Sequence, residues 1–476
     1  MKLKFTTKLS YGIGGIADNT MYTLTGTYLL FFLTTVAGLS PAIAGTITAL
    51  GSVWEAICGP IVGYASDMIE TRYGKRKPFL LFAAFPVAIV STLLFTSIDA
   101  GYGFKVVYYT LMILLFWSSF SSFFVPYMTW GSDLTDDYDE RTVLRSYAYV
   151  FNQVGMAIGM VLPTMIVDLI VGMGKSIENG WQVVGLFSGI CAGGALLICA
   201  LTNKNSDVKD FKKPENRTKI LSGEAIKRMF KEYFSILKLK PIRFVIGASV
   251  AYLIANTIFS SDRVYYLSYN LGFDSGQISL TMLIITAAGI AFVPFIAALS
   301  NKFDKKYVFA FGIGASGVTM IAFRFIGVTN MGAVIAVCLI YSIANTCYWQ
   351  LMPSIIYDVC ELEELSSGEK HSGAVISLQA LSESVSMAVG FQALGIVLEM
   401  AGFNSELASQ SVAALSWVSN NFTFIPGIFM LIVMFAIMKY PVDKKIFARV
   451  LDELKLMHKG EAKERDELLR MLGIKK

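Results

Sequence analysis

The stretch from Gly59 to Pro78, GPIVGYASDMIETRYGKRKP, decides the fold. It joins an apolar run over 41–65 to another over 79–97, and both runs are long enough to cross a bilayer. The charged residues between them are Asp67, Glu70, Arg72, Lys75, Arg76 and Lys77. So much charge must lie in water at one membrane face, and four cations indicate the cytoplasmic face. We interpret the stretch as a hinge between two spans; an ordinary positive-inside loop is the alternative.

The composition indicates a polytopic membrane protein. Of the 476 residues, 55% are hydrophobic and 16% are charged, whereas a soluble chain carries about 25% charged residues. The N-terminus lacks a short apolar core followed by small residues, so we expect no cleaved signal. The six cysteines are scattered singly in or beside apolar runs, which predicts neither a disulfide framework nor a metal site.

Apolar runs of about 18 residues or more predict twelve transmembrane helices. Their estimated ranges are 9–36, 41–68, 78–98, 104–132, 142–172, 180–202, 241–271, 275–299, 306–326, 331–357, 372–401 and 418–440. We expect an all-α membrane protein made of two pseudo-symmetric six-helix bundles, 1–202 and 241–440. The basic segment 203–240 is predicted to link them in the cytoplasm, and 441–476 is predicted to form an amphipathic tail.

Basic residues test this topology. They cluster before span 1, after every even-numbered span, and in the tail, which gives the chain its net charge of +5. The opposite side has only Lys105, Lys175 and, near a span end, Arg324. Both termini are therefore predicted to be cytoplasmic, in a cell inner membrane or plasma membrane. The positive charge reports orientation and does not indicate nucleic-acid binding.

Three carboxylates lie at membrane depth: Asp18 in span 1, Glu55 in span 2 and Glu383 in span 11. At about 1.5 Å of rise per residue, each falls near the bilayer midplane. Ionisable groups there are costly and usually face the bundle interior. A carboxylate removed from water can load and release a proton near neutral pH, so these are our candidates for cation coupling. The alternative role is a hydrogen bond that only pins two helices together.

Neutral polar and aromatic side chains lie at similar depth. Amides can bind hydroxyls and rings can stack on a ring-shaped ligand, but the same groups also join helices. The substrate-binding candidates are Asp18, Asn19, Tyr22, Trp54, Asn152, Asn256, Asn345, Trp349 and Gln379. Gly155 and Gly159 predict a close helix contact, and Trp181 is predicted to belong to an interfacial belt. Asp262 and Arg263 point to different faces of span 7 and suggest an outer gate.

The pattern G-P-x-x-G-x-x-S-D-x-x-x-x-R-x-G-K-R-K-P resembles the loop between spans two and three of the major facilitator superfamily. It looks most like the melibiose-permease-like family of glycoside–pentoside–hexuronide cation symporters. The opening Lys8-Leu-Ser-Tyr-Gly12 and the loop from Asp358 to Gly373 resemble that family too. The resemblance covers nearly the whole chain and implies a secondary transporter.

In that family, span 2 carries two acids, one turn apart, that bind the coupling cation. Glu55 stands at the first position here and Gly59 at the second. Because sodium needs several oxygen ligands and a proton needs one titratable group, we favour proton over sodium. Asp18 and Asn19 match the family's sugar-binding place in span 1, but Phe124 replaces the acid of span 4 and the span-11 lysine has no counterpart. We therefore expect a small glycoside, hexuronide or similar polar solute, moved by alternating access, and not specifically a galactoside.

The resemblance also implies a cytoplasmic gate of ion pairs, closed in one state and open in the other. Its residues would be Asp67, Arg72, Lys75, Arg76, Arg141, Asp358 and Glu361.

Two other functions stay open. Vertebrate relatives of the family move lysolipids, and the reduced number of acids here would suit an amphiphile. A membrane-embedded enzyme is less favoured, because His371 and His458 lie in cytoplasmic segments and Gly174-Lys175-Ser176 lacks the first glycine of a P-loop. We expect no enzymatic activity, no cofactor besides a coupling proton or sodium ion, no nucleic-acid partner, and a monomer that contacts its small-molecule substrate and the lipid bilayer.

Overall fold

The computed structural model describes residues 3–68, 71, 74, 76–134, 138–202, 233–234, 236–368, 372–405, 407, 409–459 and 464–474. Within these ranges it leaves undescribed the side chains at 64, 67–68, 132–133, 138–142, 145, 301 and 372–373. The helices, in chain order, are α1 Phe5–Leu24, α2 Leu30–Thr35, α3 Pro41–Met68, α4 Lys77–Leu94, α5 Tyr102–Asp133, α6 Tyr138–Met160, α7 Leu162–Gly172, α8 Ile177–Thr202, α9 Lys240–Tyr265, α10 Ser275–Lys302, α11 Lys305–Ile326, α12 Met331–Ser367, α13 Ser372–Met400, α14 Val412–Ser419, α15 Ile425–Met438, α16 Lys444–His458 and α17 Arg465–Met471. Three π turns, at Thr25–Leu29, Tyr266–Asn270 and Asn420–Phe424, extend or join these helices.

Eleven helices in the described ranges are long and apolar enough to cross a membrane. The first predicted span is helical too, although it is not among these eleven: α1, a π turn and α2 run on from Phe5 to Thr35. Lys8, Asp18 and repeated Gly and Thr residues make this run less apolar than the others. The all-helical prediction is confirmed, and each predicted span has a helical counterpart.

Local sequence sets where several helices begin and end. Asp304 accepts a hydrogen bond from the Lys306 backbone N–H at 2.8 Å and so caps the start of α11. Asp443 caps α16 in the same way, through the Ile446 N–H at 2.8 Å. Gly368 follows α12 with φ of +86°, a left-handed conformation that suits glycine and ends the helix.

The chain divides into two compact units. Unit 1 contains residues 1–216, 260–286 and 391–418, and unit 2 contains 217–259, 287–390 and 419–476. The predicted boundaries of two six-helix bundles, a linker and a tail stay a prediction, because a division by contacts does not test a sequence duplication.

A ridge of glycines brings α8 against α4 in unit 1. A Cβ added at Gly185 would lie 2.6 Å from the Ser91 carbonyl oxygen, and one at Gly193 would lie 2.6 Å from the Ala84 carbonyl oxygen. Gly189, between them, faces the backbone of Ala88 in the same way. Glycines spaced four residues apart therefore let the two helix backbones approach closely.

Gly155 and Gly159 form the close contact that their spacing predicts. A Cβ at Gly155 would lie 2.5 Å from the Ile16 carbonyl oxygen, and Gly159 faces Thr20 and Thr23 of the same helix. The Thr20 hydroxyl donates to the Gly155 carbonyl at 3.2 Å. This contact fixes α6 beside α1, the helix that carries Asp18.

The two halves of the sequence repeat one local arrangement. Tyr11 of α1 stacks on Tyr127 of α5 with ring centroids 4.7 Å apart, and Tyr252 of α9 stacks on Tyr348 of α12 at 4.1 Å. Tyr11 lies 14 residues before the π turn that begins at Thr25, and Tyr252 lies 14 residues before the π turn that begins at Tyr266. A shared register of this kind is what a duplicated six-helix unit would leave.

In unit 1, the segment that ends the first span is hydrogen-bonded to the last turns of α9. Both segments lie toward loops that follow odd-numbered spans. The Ser261 hydroxyl donates to the Gly26 carbonyl at 3.0 Å, and the Thr34 hydroxyl bonds the Tyr265 phenol at 2.5 Å. Asp262 and Arg263 are buried at the same level. Their predicted role as an outer gate stays a prediction.

Trp181 is not part of an interfacial belt, and that prediction is wrong. Its side chain is 3% exposed and packs among the rings of Tyr28, Phe32 and Phe95. The sequence shows a Trp near a span end, but it does not show that the neighbouring helices enclose it.

We predict that Gly193→Ala destabilises the protein and that Gly194→Ala does not. The added methyl at position 193 would meet the Ala84 carbonyl, whereas a Cβ at position 194 has no atom within 4 Å. Overpacking of this kind costs about 1–3 kcal/mol, while Gly→Ala in an open helix position gains up to about 1 kcal/mol. Thermal unfolding in detergent should show a lower melting temperature for Gly193→Ala only; equal melting temperatures would contradict the ridge.

Candidate functional site

Glu55 lies on the face of α3 that turns away from lipid. Leu50, Val53 and Ile57 are exposed and form an apolar stripe along the helix. At about 100° per residue, Glu55 falls roughly 160° from the centre of that stripe. It shares its face with Ser52, which is fully buried, and its own side chain is half-buried. A carboxylate in this position faces the protein interior, as its predicted coupling role requires.

Trp54, next to Glu55, is fixed by α5. Its indole N–H donates to the Ser118 hydroxyl at 2.9 Å. The Cys58 thiol, one turn on, lies 3.8 Å from the same hydroxyl. Trp54 therefore helps to hold α3 against α5, and only part of its ring remains accessible.

Asp18, Asn19 and Tyr22 occupy one face of α1. All three side chains are half-buried, whereas Ala17 and Met21 on the same turns are fully buried. Asp18 and Tyr22 are four residues apart and so are neighbours on the helix surface. This face keeps a carboxylate, an amide and a phenol accessible in unit 1.

Two further groups border that face. Trp117 of α5 meets the Tyr22 ring edge to face, with centroids 6.3 Å apart. Asn152 of α6 rests against Gly15, whose missing side chain makes room for the amide. The Asn152 Oδ1 atom is buried and accepts no hydrogen bond from the described residues. A ligand that donates a hydrogen bond could satisfy this atom.

In unit 2, polar pairs form a ladder between α9 and α12. The Ser249 hydroxyl bonds the Tyr348 phenol at 2.6 Å, and the Tyr252 phenol donates to Asn345 Oδ1 at 3.1 Å. The third pair is Tyr341, whose phenol donates to Asn256 Oδ1. Asn256 and Asn345, both predicted to bind substrate, therefore also join these two helices.

Gln379 of α13 completes this ladder. Its Nε2 atom donates to Ser249 Oγ at 2.6 Å and to Glu383 Oε1 at 3.1 Å, and it lies 3.4 Å from the Tyr348 phenol. Its Oε1 atom is buried and has no donor among the described residues. One predicted coupling carboxylate and one predicted substrate amide thus lie in direct contact, beside an unused acceptor.

Trp349 is not brought to this network. It is 44% exposed, on the same side of α12 as the exposed residues Leu339 and Tyr357. Its neighbour Tyr348 faces the ladder instead, so the ring that the network uses is one position earlier in the chain.

The predicted gate is described only in part. Arg72 and Lys75, and the side chains of Asp67 and Arg141, lie outside the described residues. The remaining members are Arg76, Asp358 and Glu361: Arg76 is buried and donates to the Ser66 hydroxyl at 2.5 Å, and Glu361 is half-buried. Asp358 pairs with Lys305 Nζ at 2.7 Å. Lys305 was not among the predicted members, although its place after span 8 matches that of the basic residues after span 2.

Sequence reasoning also missed Ser249, Tyr252 and Tyr341. A pattern was present: 249, 252 and 256 fall on one face of a helix, as do 341, 345 and 348. The sequence does not show that these two helix faces pack against each other. As for a metal, no three His, Cys, Asp or Glu side chains in the described part of the chain lie together as possible ligands.

Comparison with known proteins gives one family. The family model described as MFS/sugar transport protein matches residues 10–444. An uncharacterized symporter of Bacillus subtilis (strain 168), YnaJ, is 26% identical over 457 residues and aligns over 95% of both chains. The glucuronide carrier protein homolog of Escherichia coli (strain K12) is 24% identical over 466 residues, with 95% of this chain and 96% of the relative covered.

The fold has solved counterparts. A structure of the xylose transporter XylE from E. coli, in an inward open conformation, matches with a TM-score of 0.64 at 14% sequence identity. The match covers 95% of this chain and 99% of the other. At this identity the likeness shows a common fold, which is the predicted major facilitator fold.

We predict that Tyr348→Phe lowers stability and that Tyr357→Phe, on the same helix, does not. The first change removes a buried hydroxyl that bonds Ser249, and losing such a partner costs about 1–3 kcal/mol. Tyr357 is 63% exposed and serves as the control. Thermal unfolding should show a melting temperature several degrees lower for Tyr348→Phe; no difference would show that the ladder contributes nothing.

Proposed function

Since the chain belongs to the MFS/sugar transport protein family, we propose that it is a cation-coupled symporter of a small glycoside, hexuronide or similar polar solute, with a proton as the coupling cation. The chain is a multi-pass membrane protein of a transporter family. We further propose that both termini lie in the cytoplasm, because basic residues cluster in the loops after even-numbered spans. The protein would act as a monomer by alternating access between two six-helix bundles.

The contact between Glu383 and Gln379 carries the sugar part of this proposal. A charged Glu383 accepts a hydrogen bond from Gln379 Nε2, which leaves Gln379 Oε1 buried and in need of a donor. Sugar hydroxyls are donors of the required kind, and a site built to bond a hydroxyl selects strongly for it. Proton coupling is assigned separately, to Glu55.

Unit 1 supports a sugar ligand in the same way. Asn152 Oδ1 is a buried acceptor without a donor among the described residues. Asp18 and Asn19 present further acceptors on the accessible face of α1, and the rings of Tyr22 and Trp117 provide apolar surface for the faces of a sugar.

Glu55 is the coupling residue that we favour. It faces the protein interior on α3, and Gly59 stands where the family places a second acid. One carboxylate suffices to carry a proton, whereas sodium requires several oxygen ligands at once. Protonation of Glu55 would remove a charge from the helix interface and so permit the bundles to move.

The substrate class rests on the named relatives. The E. coli relative is named for glucuronide, a hexuronide, and it aligns over nearly its whole length. We propose the same substrate class, a glycoside or hexuronide, for this chain. Binding measurements would identify the particular sugar.

We predict that Glu55→Gln abolishes uphill accumulation of the sugar but leaves counterflow exchange intact. Glutamine keeps the shape and polarity of the side chain but cannot bind and release the proton. Both activities are measured in proteoliposomes with a radiolabelled substrate. Glu178→Gln, the same change at an exposed site in the first turn of α8, is the control and should retain both. Unchanged accumulation in Glu55→Gln would remove Glu55 from the coupling role.

We predict that Gln379→Leu weakens sugar binding about tenfold or more, the loss expected for one buried hydrogen bond. A thermal-shift screen of glycosides and hexuronides identifies the ligand, and the shift measured against its concentration gives the affinity. Gln182→Leu, at an exposed position of α8, is the matched control. Equal sugar affinities in the two variants would show that Gln379 does not bind the sugar.

A further inference from the structure

The C-terminal helices are fixed to the end of α12. The Arg465 side chain donates from Nε to the Leu365 carbonyl at 2.8 Å and from Nη2 to the Ser366 carbonyl at 2.9 Å. These carbonyls belong to the last turn of the helix, where cations bind favourably. Glu453 Oε1 accepts the backbone N–H groups of Glu464 and Arg465 at 2.9 and 3.0 Å. The position of α17 is therefore specified by several bonds within unit 2.

This docking brings α17 to the start of α9. Gly473, which follows α17 with φ of +68°, lies so close to Lys240 that a Cβ there would be 3.1 Å from Lys240 Cδ. The two segments border an open cavity of about 870 Å³. Its lining residues are Lys238, Leu239, Lys240, Arg243, Asp466, Leu469, Arg470, Gly473 and Ile474.

The lining of the cavity is strongly basic. Its described residues include four cations, from Lys238, Lys240, Arg243 and Arg470, and one carboxylate, from Asp466. None of the four cations forms an ion pair with another described residue. All four cations are exposed, and their common sign makes the potential in the cavity attractive to an anion.

The depth of the cavity indicates the source of that anion. Lys240 is the first residue of the membrane-spanning helix Lys240–Asn270, so the cations lie at the edge of the bilayer. Leu469 and Ile474, which are buried, add apolar surface beside them. Basic pockets at this level suit the phosphate headgroups of anionic lipids.

We propose that this cavity binds the phosphate headgroup of an anionic phospholipid. The lipid holds the C-terminal helices against the start of α9, through Lys240, Arg243 and Arg470. The site is independent of the sugar and coupling sites.

The test is thermal unfolding of the full chain in phosphatidylcholine nanodiscs with and without phosphatidylglycerol. The wild type should gain several degrees from phosphatidylglycerol. The triple variant Lys240→Gln, Arg243→Gln and Arg470→Gln should keep less than half of that gain. The control triple variant Lys445→Gln, Lys455→Gln and Lys459→Gln changes the net charge equally at exposed positions outside the cavity and should keep all of it.

Three results would overturn the proposal. A cavity triple variant that keeps the whole gain, as the control does, would show that the cavity is not a lipid site. A control variant that loses as much of the gain as the cavity variant would show a diffuse attraction to the anionic surface. A similar gain from inorganic phosphate in phosphatidylcholine discs would show that the ligand is a soluble anion. Arg470→Gln alone, on the exposed face of α17, keeps the test interpretable if the triple variant does not fold, because it should also lose part of the gain.

Discussion

The structure depends on one constraint: a polar group inside a bilayer has no water to bond and must find a partner in the protein. The ladder between α9 and α12 satisfies this constraint with three pairs of hydroxyl, phenol and amide groups, and Gln379 adds a third helix. In unit 1, Gly155 and Gly193 let helices meet backbone to backbone, and a similar contact joins Gly317 and Gly427 in unit 2. Polar bonds and close contacts at small residues therefore act together in holding the helices.

We assign function to the buried polar atoms that this hydrogen bonding leaves without a partner in the described residues. Gln379 Oε1 and Asn152 Oδ1 are buried acceptors without donors in the described part of the chain. Each such group costs free energy in the empty protein, and a sugar hydroxyl can recover it. Glu55 faces inward from α3 for the same reason: a carboxylate turned to lipid would be more costly still. Because the surrounding spans are apolar, these few polar atoms favour a ligand that can donate hydrogen bonds to them.

Much of this could be predicted from the sequence. The charged stretch after Gly59, the apolar runs and the basic loops were enough for the all-helical fold and its family, because membrane length and charge are local properties. The close contact at Gly155 and Gly159 also followed from spacing. What could not be predicted is which side chains pair across helices. Asn256 and Asn345 bond tyrosines, Trp181 is enclosed by rings, and Trp349 points outward, because helix rotation is set by packing that no single segment encodes.

The central claim, that a proton crosses with the sugar, is tested most directly by a pH electrode. A sugar identified by binding is added to an unbuffered suspension of proteoliposomes, and the external pH is recorded in sodium-free medium. Under proton symport the medium becomes more alkaline as protons enter with the sugar, and a protonophore abolishes the change. An external pH that stays constant while the sugar enters, or uptake that requires sodium, would contradict it.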